Sequence, residues 1–185
     1  MSHKYPSLDD SIYSDWWHAN HAWHNGDVAM AHHIYKNLRA NHSIEIFYEI
    51  QLKPPVKFCH PLGTVLGRAE YAPNLVVYQG VSVGSTVDHE RPTFTGPCVL
   101  FPHSAVIGPV TVGKNVWITA GIIVQALPGD TLAIPDNHVV FRDDSGRMSM
   151  KPTARSVIDT FFTPRRRVTD SGTPAHQPGA DEHLG

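Results

Sequence analysis

Apolar residues at every sixth position, a second column of small or aliphatic residues four places behind them, and no helical periodicity across residues 44–141 predict a mainly β chain wound as a parallel β-helix. The first column runs Phe94, Leu100, Val106, Val112, Ile118 and Val124, and the second Ser104, Val110, Val116 and Ile122. An upstream block, Val65, Tyr71, Val77 and Val83 with Ala69, Leu75 and Val81, keeps the same period. A strand alternates with period two and a helix repeats near 3.6, so neither explains a strict six. A triangular solenoid does. Each hexad makes one flat side, three make a coil, and stacking buries the apolar column that a single coil leaves open.

Residues 1–43 form an N-terminal helical segment. Ser7-Leu8-Asp9-Asp10 reads as the N-cap region of a first helix, on which Ile12, Trp16 and Trp23 recur at near-helical spacing. Asn25-Gly26-Asp27 breaks the pattern, and Val28, Ala31, Ile34, Tyr35 and Leu38 mark the apolar face of a second helix. A hairpin with aromatics on one face is expected to pack on something else. Residues 44–141 are the β-helix domain. Between its two blocks, from Val83 to Phe94, the interval is eleven residues where one side needs six. The polar stretch 84–92 therefore loops outward, and loops on a rigid scaffold are where function tends to sit. After Val124 the register decays, as in a final coil. Residues 142–185 are a C-terminal extension with a short helix in Arg155 to Phe162. Arg165-Arg166-Arg167 then reads as a solvated tail, and the last 20 residues, rich in Pro, Gly, Thr and His, are expected to be disordered.

At 185 residues the chain suits one domain with modest extensions. Lys and Arg number 15 against 17 Asp and Glu, a formal charge of −2, which argues against a nucleic-acid partner that needs a basic stripe. No run approaches the roughly 20 apolar residues of a membrane span. The polar start MSHKYPSLDD lacks the apolar core of a signal peptide, which implies the cytoplasm. Cys59 and Cys98 make no disulfide framework and have no metal-ligand spacing; Cys98 falls in the small-residue column and reads as core. His18, His21 and His24 spread over more than one helix face, so no metal site is read there.

Three segments then stand in a telling order: CHPLGTVLGRAEY (59–71), LVVYQGVSVG (75–84) and AVIGPVTVGKNVWITAGIIV (105–124). A His-x-x-Gly segment, a Gln-x-x-x-x-Gly segment, a protruding loop and an Ile-Gly/Val-Gly series resemble the hexapeptide-repeat acyltransferases with a left-handed β-helix, and within them the serine O-acetyltransferase family. The resemblance implies acetyl-CoA as co-substrate, bound in a groove between neighbouring subunits of a homotrimer, with pairing of trimers into a hexamer left open. It also implies a small-molecule hydroxyl acceptor and a place in cysteine biosynthesis. No metal is expected. His60 takes the position of the catalytic base. The carboxylate that orients it, fifteen residues upstream, falls on Glu45, with Glu49 as the competitor. In the loop Asp88-His89-Glu90-Arg91-Pro92, His89 becomes a catalytic candidate and Arg91 a ligand for the substrate carboxylate. Cys59 and Gln79 fall among the substrate-side positions, and Gly84, Ala120 and Gly121 among those that meet acetyl-CoA. The family carries an acidic residue where this chain has Cys59, which supplies no charge for an ammonium group.

Acetyl transfer from a thioester to a hydroxyl needs a base to take the hydroxyl proton, and histidine titrates near the working pH. A carboxylate on the far ring nitrogen fixes the tautomer and stabilises the imidazolium. His89 or Arg91 could meet the oxyanion if the loop folds over the groove. Three alternatives stay open. One keeps the fold and acetylates a sugar hydroxyl or amine. A second is a γ-type carbonic anhydrase-like zinc protein, although His60, His89, His103 and His138 are widely and irregularly spaced. The third is a scaffold that binds the next enzyme of cysteine synthesis; the family's contact uses a C-terminal isoleucine, and this chain ends His-Leu-Gly. Trp117 lies in an outward column, available to a CoA adenine or a neighbouring chain.

Overall fold

The computed structural model of the chain describes residues 8–163. Two helices come first, α1 (Leu8–His24) and α2 (Val28–His42). Gly26 turns the chain between them at φ +81°, and the Asp27 carboxylate accepts from the Met30 N–H at 3.0 Å, capping α2. The cap read at Ser7 lies outside the described residues, as do Arg165-Arg166-Arg167 and the end of the tail. On α2 the buried stripe is Ala31, Tyr35 and Leu38. Val28 departs from the expected face: it is exposed, because the stripe begins one turn later.

Five stacked coils follow. The first supplies β1 (Glu45–Ile46) and β2 (Val56–Cys59), the second β3 (Val65–Leu66) and β4 (Leu75–Tyr78). The third holds β5 (Ser82–Gly84), β6 (Thr93–Phe94) and β7 (Cys98–Leu100), and the fourth β8 (Ala105–Ile107), β9 (Val110–Val112) and β10 (Val116–Ile118). The fifth holds β11 (Ile123–Gln125), β12 (Leu132–Ile134) and β13 (His138–Arg142). Stacking makes three faces: β1-β3-β5-β8-β11, β2-β4-β7-β10-β13, and the shorter β6-β9-β12. All pairings between coils are parallel. Phe94 stands over Val112, Leu100 over Ile118 and Val106 over Val124, so in the regular coils each partner lies three hexads further on. These six residues are buried in one continuous core, as the period of six predicts.

The upstream column needs one correction. Leu66, not Val65, points inward: it pairs with Val83 and is fully buried, whereas Val65 is 36% exposed. Side chains alternate along a strand, so a shift of one residue reverses the face. The second coil is one residue short after β3, and the spacing from Leu66 to Tyr71 is five.

The helical hairpin packs on the open end of the solenoid. Ile12, Trp16 and Leu38 join Ile44, Ile46 and Phe58 in the same core. The Trp16 indole donates to the Phe47 carbonyl at 3.3 Å, and the buried Asn20 amide donates to the carbonyls of Tyr48 and Ile50 at 2.6 and 3.0 Å. A first coil has no coil beneath it, and these helices cover what would otherwise be wet apolar surface.

At the far end β14 (Met148–Pro152) returns antiparallel to β13, and the chain then crosses the second face to α3 (Val157–Phe161). Asn115 anchors this segment: its amide donates to the Arg155 carbonyl at 3.0 Å and accepts from the Val157 N–H at 2.8 Å. Trp117 is outward on β10, as read from the repeat, but it is neither open to a nucleotide nor to another chain. Its indole donates to the Arg155 carbonyl at 3.2 Å, and Val157 and Phe161 cover it. Among the described residues no helix is long and apolar enough to cross a membrane.

Candidate active site

Two corners of the solenoid border the first face, and the residues singled out in the sequence divide between them. At the corner that leads into this face, β2 ends at Cys59 and the chain turns through His60 at φ +52°, followed by Pro61. Histidine tolerates the left-handed region better than most side chains, and the turn leaves the imidazole exposed. Among the described residues the His60 ring has no hydrogen-bond partner. Gln79, half-buried, occupies the same corner one coil on, and Ala120 with Gly121 occupies it two coils further. Backbone bonds tie these corners together: Gly80 N–H to Leu62 O at 2.9 Å, His103 N–H to Gln79 O at 2.9 Å, and Gly121 N–H to Pro102 O at 2.9 Å.

Cys59 turns away from this corner onto the second face. It packs with Tyr78 and Phe101 against Val76 and Val99, beneath the C-terminal segment. Its thiol meets the Tyr78 hydroxyl, and burial first, then this neighbour, raise the phenol's pKa. The second cysteine, Cys98, is wholly buried, and burial pushes its thiol far above the ordinary range. It is core, as read.

Glu45 lies on β1 beside the segment that follows His60: its N–H donates to the Thr64 carbonyl at 2.8 Å, and it pairs in register with Val65. Its carboxylate is held from the helical side by Arg39 at 3.4 Å and by the Tyr35 hydroxyl. Burial first, then Glu45, pushes the Tyr35 phenol up to about 12. A raised phenol pKa favours the folded state below pH 10, and that contribution is lost as pH rises through about 12. Urea midpoints measured at about pH 8 and about pH 11.5 are therefore expected to fall further for the wild type than for Tyr35→Phe; equal losses would show that the Tyr35–Glu45 contact does not couple to folding.

The other corner, which leads out of the first face, carries charge. Glu49 accepts from Arg68 Nε at 3.2 Å and from its terminal nitrogen at 2.9 Å. Arg68 also lies over the Phe47 ring at 4.3 Å. With Lys53, Glu70, Tyr71 and Arg91 they line a cavity of about 350 Å³. Arg91 thus joins Arg68, which sequence reasoning passed over because Arg68 reads as an ordinary outward position of the repeat. The loop begins at this same corner after Gly84. Its base closes through Thr86 N–H to Glu90 O at 2.9 Å, and Glu90 accepts from the Gly129 N–H at 3.1 Å. His89, at φ +65°, is exposed near the tip and does not fold back onto His60 within one chain.

Between the two corners the outer surface of the first face carries small and aliphatic side chains with Ser82 among them, and Glu45 at its helical end. Val65, Ser82, Ala105 and Ile123 stand in register, and Ile123 is 60% exposed.

Fold and corner geometry define the class: a left-handed parallel β-helix of hexapeptide repeats with an N-terminal helical segment. Sequence likeness then points within it to the serine acetyltransferases. The chain is 35% identical over 88 residues to the serine acetyltransferase of Bacillus pumilus (strain SAFR-032), covering 44% of this chain and 41% of that one. To the serine acetyltransferase of Bacillus licheniformis it is 29% identical over 111 residues, 51% of each. The chain therefore spans about half the length of these relatives. No family model matches it. Among solved structures, a serine acetyltransferase in complex with cysteine superposes with a TM-score of 0.72 at 16% identity, over 83% of this chain and 60% of that one. The Brucella abortus strain S19 serine acetyltransferase in complex with coenzyme A gives 0.68 at 16%, over 80% and 57%. The sequence relatives support the resemblance to this group, and the superpositions support the fold.

Proposed function

We propose that this chain is an acetyl-CoA-dependent O-acetyltransferase that moves the acetyl group to the hydroxyl of L-serine or a serine-like small acceptor. The observation that carries the reading is the placement of His60: an exposed imidazole on a coil corner, fixed by a left-handed turn and Pro61, at the edge of the partly exposed first face. The likeness to serine acetyltransferases supports the donor and the reaction class. In the reaction the acceptor oxygen attacks the thioester carbonyl while His60 takes its proton. The tetrahedral intermediate then expels the thiolate, the C–S bond breaks, and the imidazolium returns the proton to sulfur. Glu45 is the better orienting carboxylate by position alone: both glutamates are engaged by an arginine, but the Glu45 backbone lies against the segment after His60 while Glu49 stands at the opposite corner.

The working assembly is a homotrimer packed through the first face, in which the His60 corner of one copy meets the Arg91 corner of the next. In the recess lined by Lys53 and Arg91, where Glu49 already holds Arg68, Arg91 is the group for the carboxylate of an amino acid, and His89 lies on the same loop as Arg91. Gln79 is a substrate-side group; Gly84, Ala120 and Gly121 hold the acetyl-CoA. In this reading the helices of the N-terminal segment (1–43) cap the domain, 44–141 carry the chemistry, and the stretch from Arg155 to Phe162 of the C-terminal extension (142–185) shields the second face; the protein works in the cytoplasm, in cysteine biosynthesis.

One observation favours a second acceptor class. Cys59 offers no charge for an ammonium group and faces Tyr78 instead, which suits a sugar hydroxyl or amine. Free-thiol release from acetyl-CoA, measured across L-serine, other small hydroxy compounds and sugars, separates the two. Turnover with L-serine above every sugar is expected; turnover confined to sugars would reject serine as the acceptor.

A further inference from the structure

The corner that carries His60 repeats in the next coils, and one position on it takes the left-handed conformation each time. That position is Gly63 at φ +71°, Gly80 at +64°, His103 at +59° and Gly121 at +70°. Three of the four are glycine, the residue that adopts this conformation at no steric cost. The third coil instead has a histidine, so a side chain stands where its neighbours have none. Its ring does not turn away into solvent. It lies on Gly80, where a Cβ would come within 2.8 Å of Cε1 and 3.2 Å of Cγ. Gly80 is therefore bare and the imidazole covers it. Among the described residues nothing hydrogen-bonds the ring, and His103 is exposed.

The imidazole thus hangs from the third coil over the second, between His60 on the first and Ala120–Gly121 on the fourth. Parallel strands stack about 4.8 Å apart, so the column from Gly121 back to the His60 turn is about 14 Å long. A linear ligand held at Ala120–Gly121 and reacting at His60 must pass over His103. We propose that His103 is a further substrate-contacting residue of this corner, its imidazole forming the floor on which the pantetheine arm of the acyl donor lies and hydrogen-bonding one of its amides. This rests on the acetyl-CoA reading above and adds a residue to it.

The test is calorimetric titration of coenzyme A into wild type, His103→Gly and His60→Asn. Glycine restores the residue that the other coils use, so His103→Gly is expected to melt at or above the wild-type temperature. Loss of one hydrogen bond to the ligand is expected to weaken coenzyme A binding about tenfold. In turnover assays KM for acetyl-CoA should rise while KM for the acceptor holds, a split that a purely structural residue would not produce. His60→Asn should bind coenzyme A as the wild type does. If wild type binds and His103→Gly binds equally or more tightly, the role of His103 is overturned and the acetyl-CoA reading stands. If wild type itself binds no coenzyme A, both fall together.

Discussion

His60→Ala is expected to lower the rate of acetyl transfer by about 10²–10⁴-fold, the range that a positioned general base contributes. On the proposed mechanism the loss should appear in kcat, because the imidazole would act as the hydroxyl attacks and not when acetyl-CoA first binds. The backbone complicates alanine here. At φ +52° a Cβ without a compensating polar group costs about 1 kcal/mol or more, and His60→Ala is expected to lose some stability as well as activity. Asparagine tolerates the left-handed region and cannot act as a base, so His60→Asn isolates the chemistry. Both variants should lose turnover alike, with His60→Asn melting closer to wild type. Wild-type rates in His60→Asn would remove His60 from the mechanism.

Leu100→Ala is expected to destabilise the fold by about 2–5 kcal/mol, read as a lower urea midpoint with an unchanged slope. Leu100 is fully buried on β7, stacked between Val77 below and Ile118 above. A solenoid core is a stack, and the backbone ladders on either side of β7 hold the coils at fixed spacing. The space left by the side chain therefore closes poorly, which favours the upper part of the range. Val65→Ala is the control. It belongs to the same sequence period, but Val65 faces outward on the first face, so a change below about 0.5 kcal/mol is expected in the isolated chain. A large effect at Val65 would mean that the first face is covered in solution, which thermal melting at several protein concentrations would show.

The contrast between Leu100 and Val65 marks how far the repeat could be read. Between Phe94 and Val124 no residue is inserted, so counting by six identifies the inward side chains. The second coil lacks one residue after β3, and counting through it assigns Val65 to the core when Leu66 occupies it. Periodicity carries no information about where a coil is short. Trp117 shows another limit. Its outward direction is legible in the hexads, but a segment some forty residues further on supplies its cover, through Asn115 and the Arg155 carbonyl. The purpose of the aromatic hairpin was equally hidden, because helices amphipathic on their own account do not say which surface they close.

His60 is legible as a candidate site because a local motif, a turn and a following proline lie together in the chain. Its relation to Glu45, Glu49 and Arg91 was not. Spacing by itself left both glutamates open, and the coil geometry separates them, setting Glu45 beside the turn that follows His60 and Glu49 with Arg68 across the face. His103 reads in sequence as one more scattered histidine; only the alignment of corners shows it standing in a column of glycines.

By itself, then, the sequence determined the winding: a period of six in apolar residues is a local property, and stacking is the one arrangement that buries it. The tertiary structure decided which residues share a corner, what covers each face and where charge collects. Those depend on how many residues each coil contains, and a single insertion or deletion rotates everything after it around the solenoid axis.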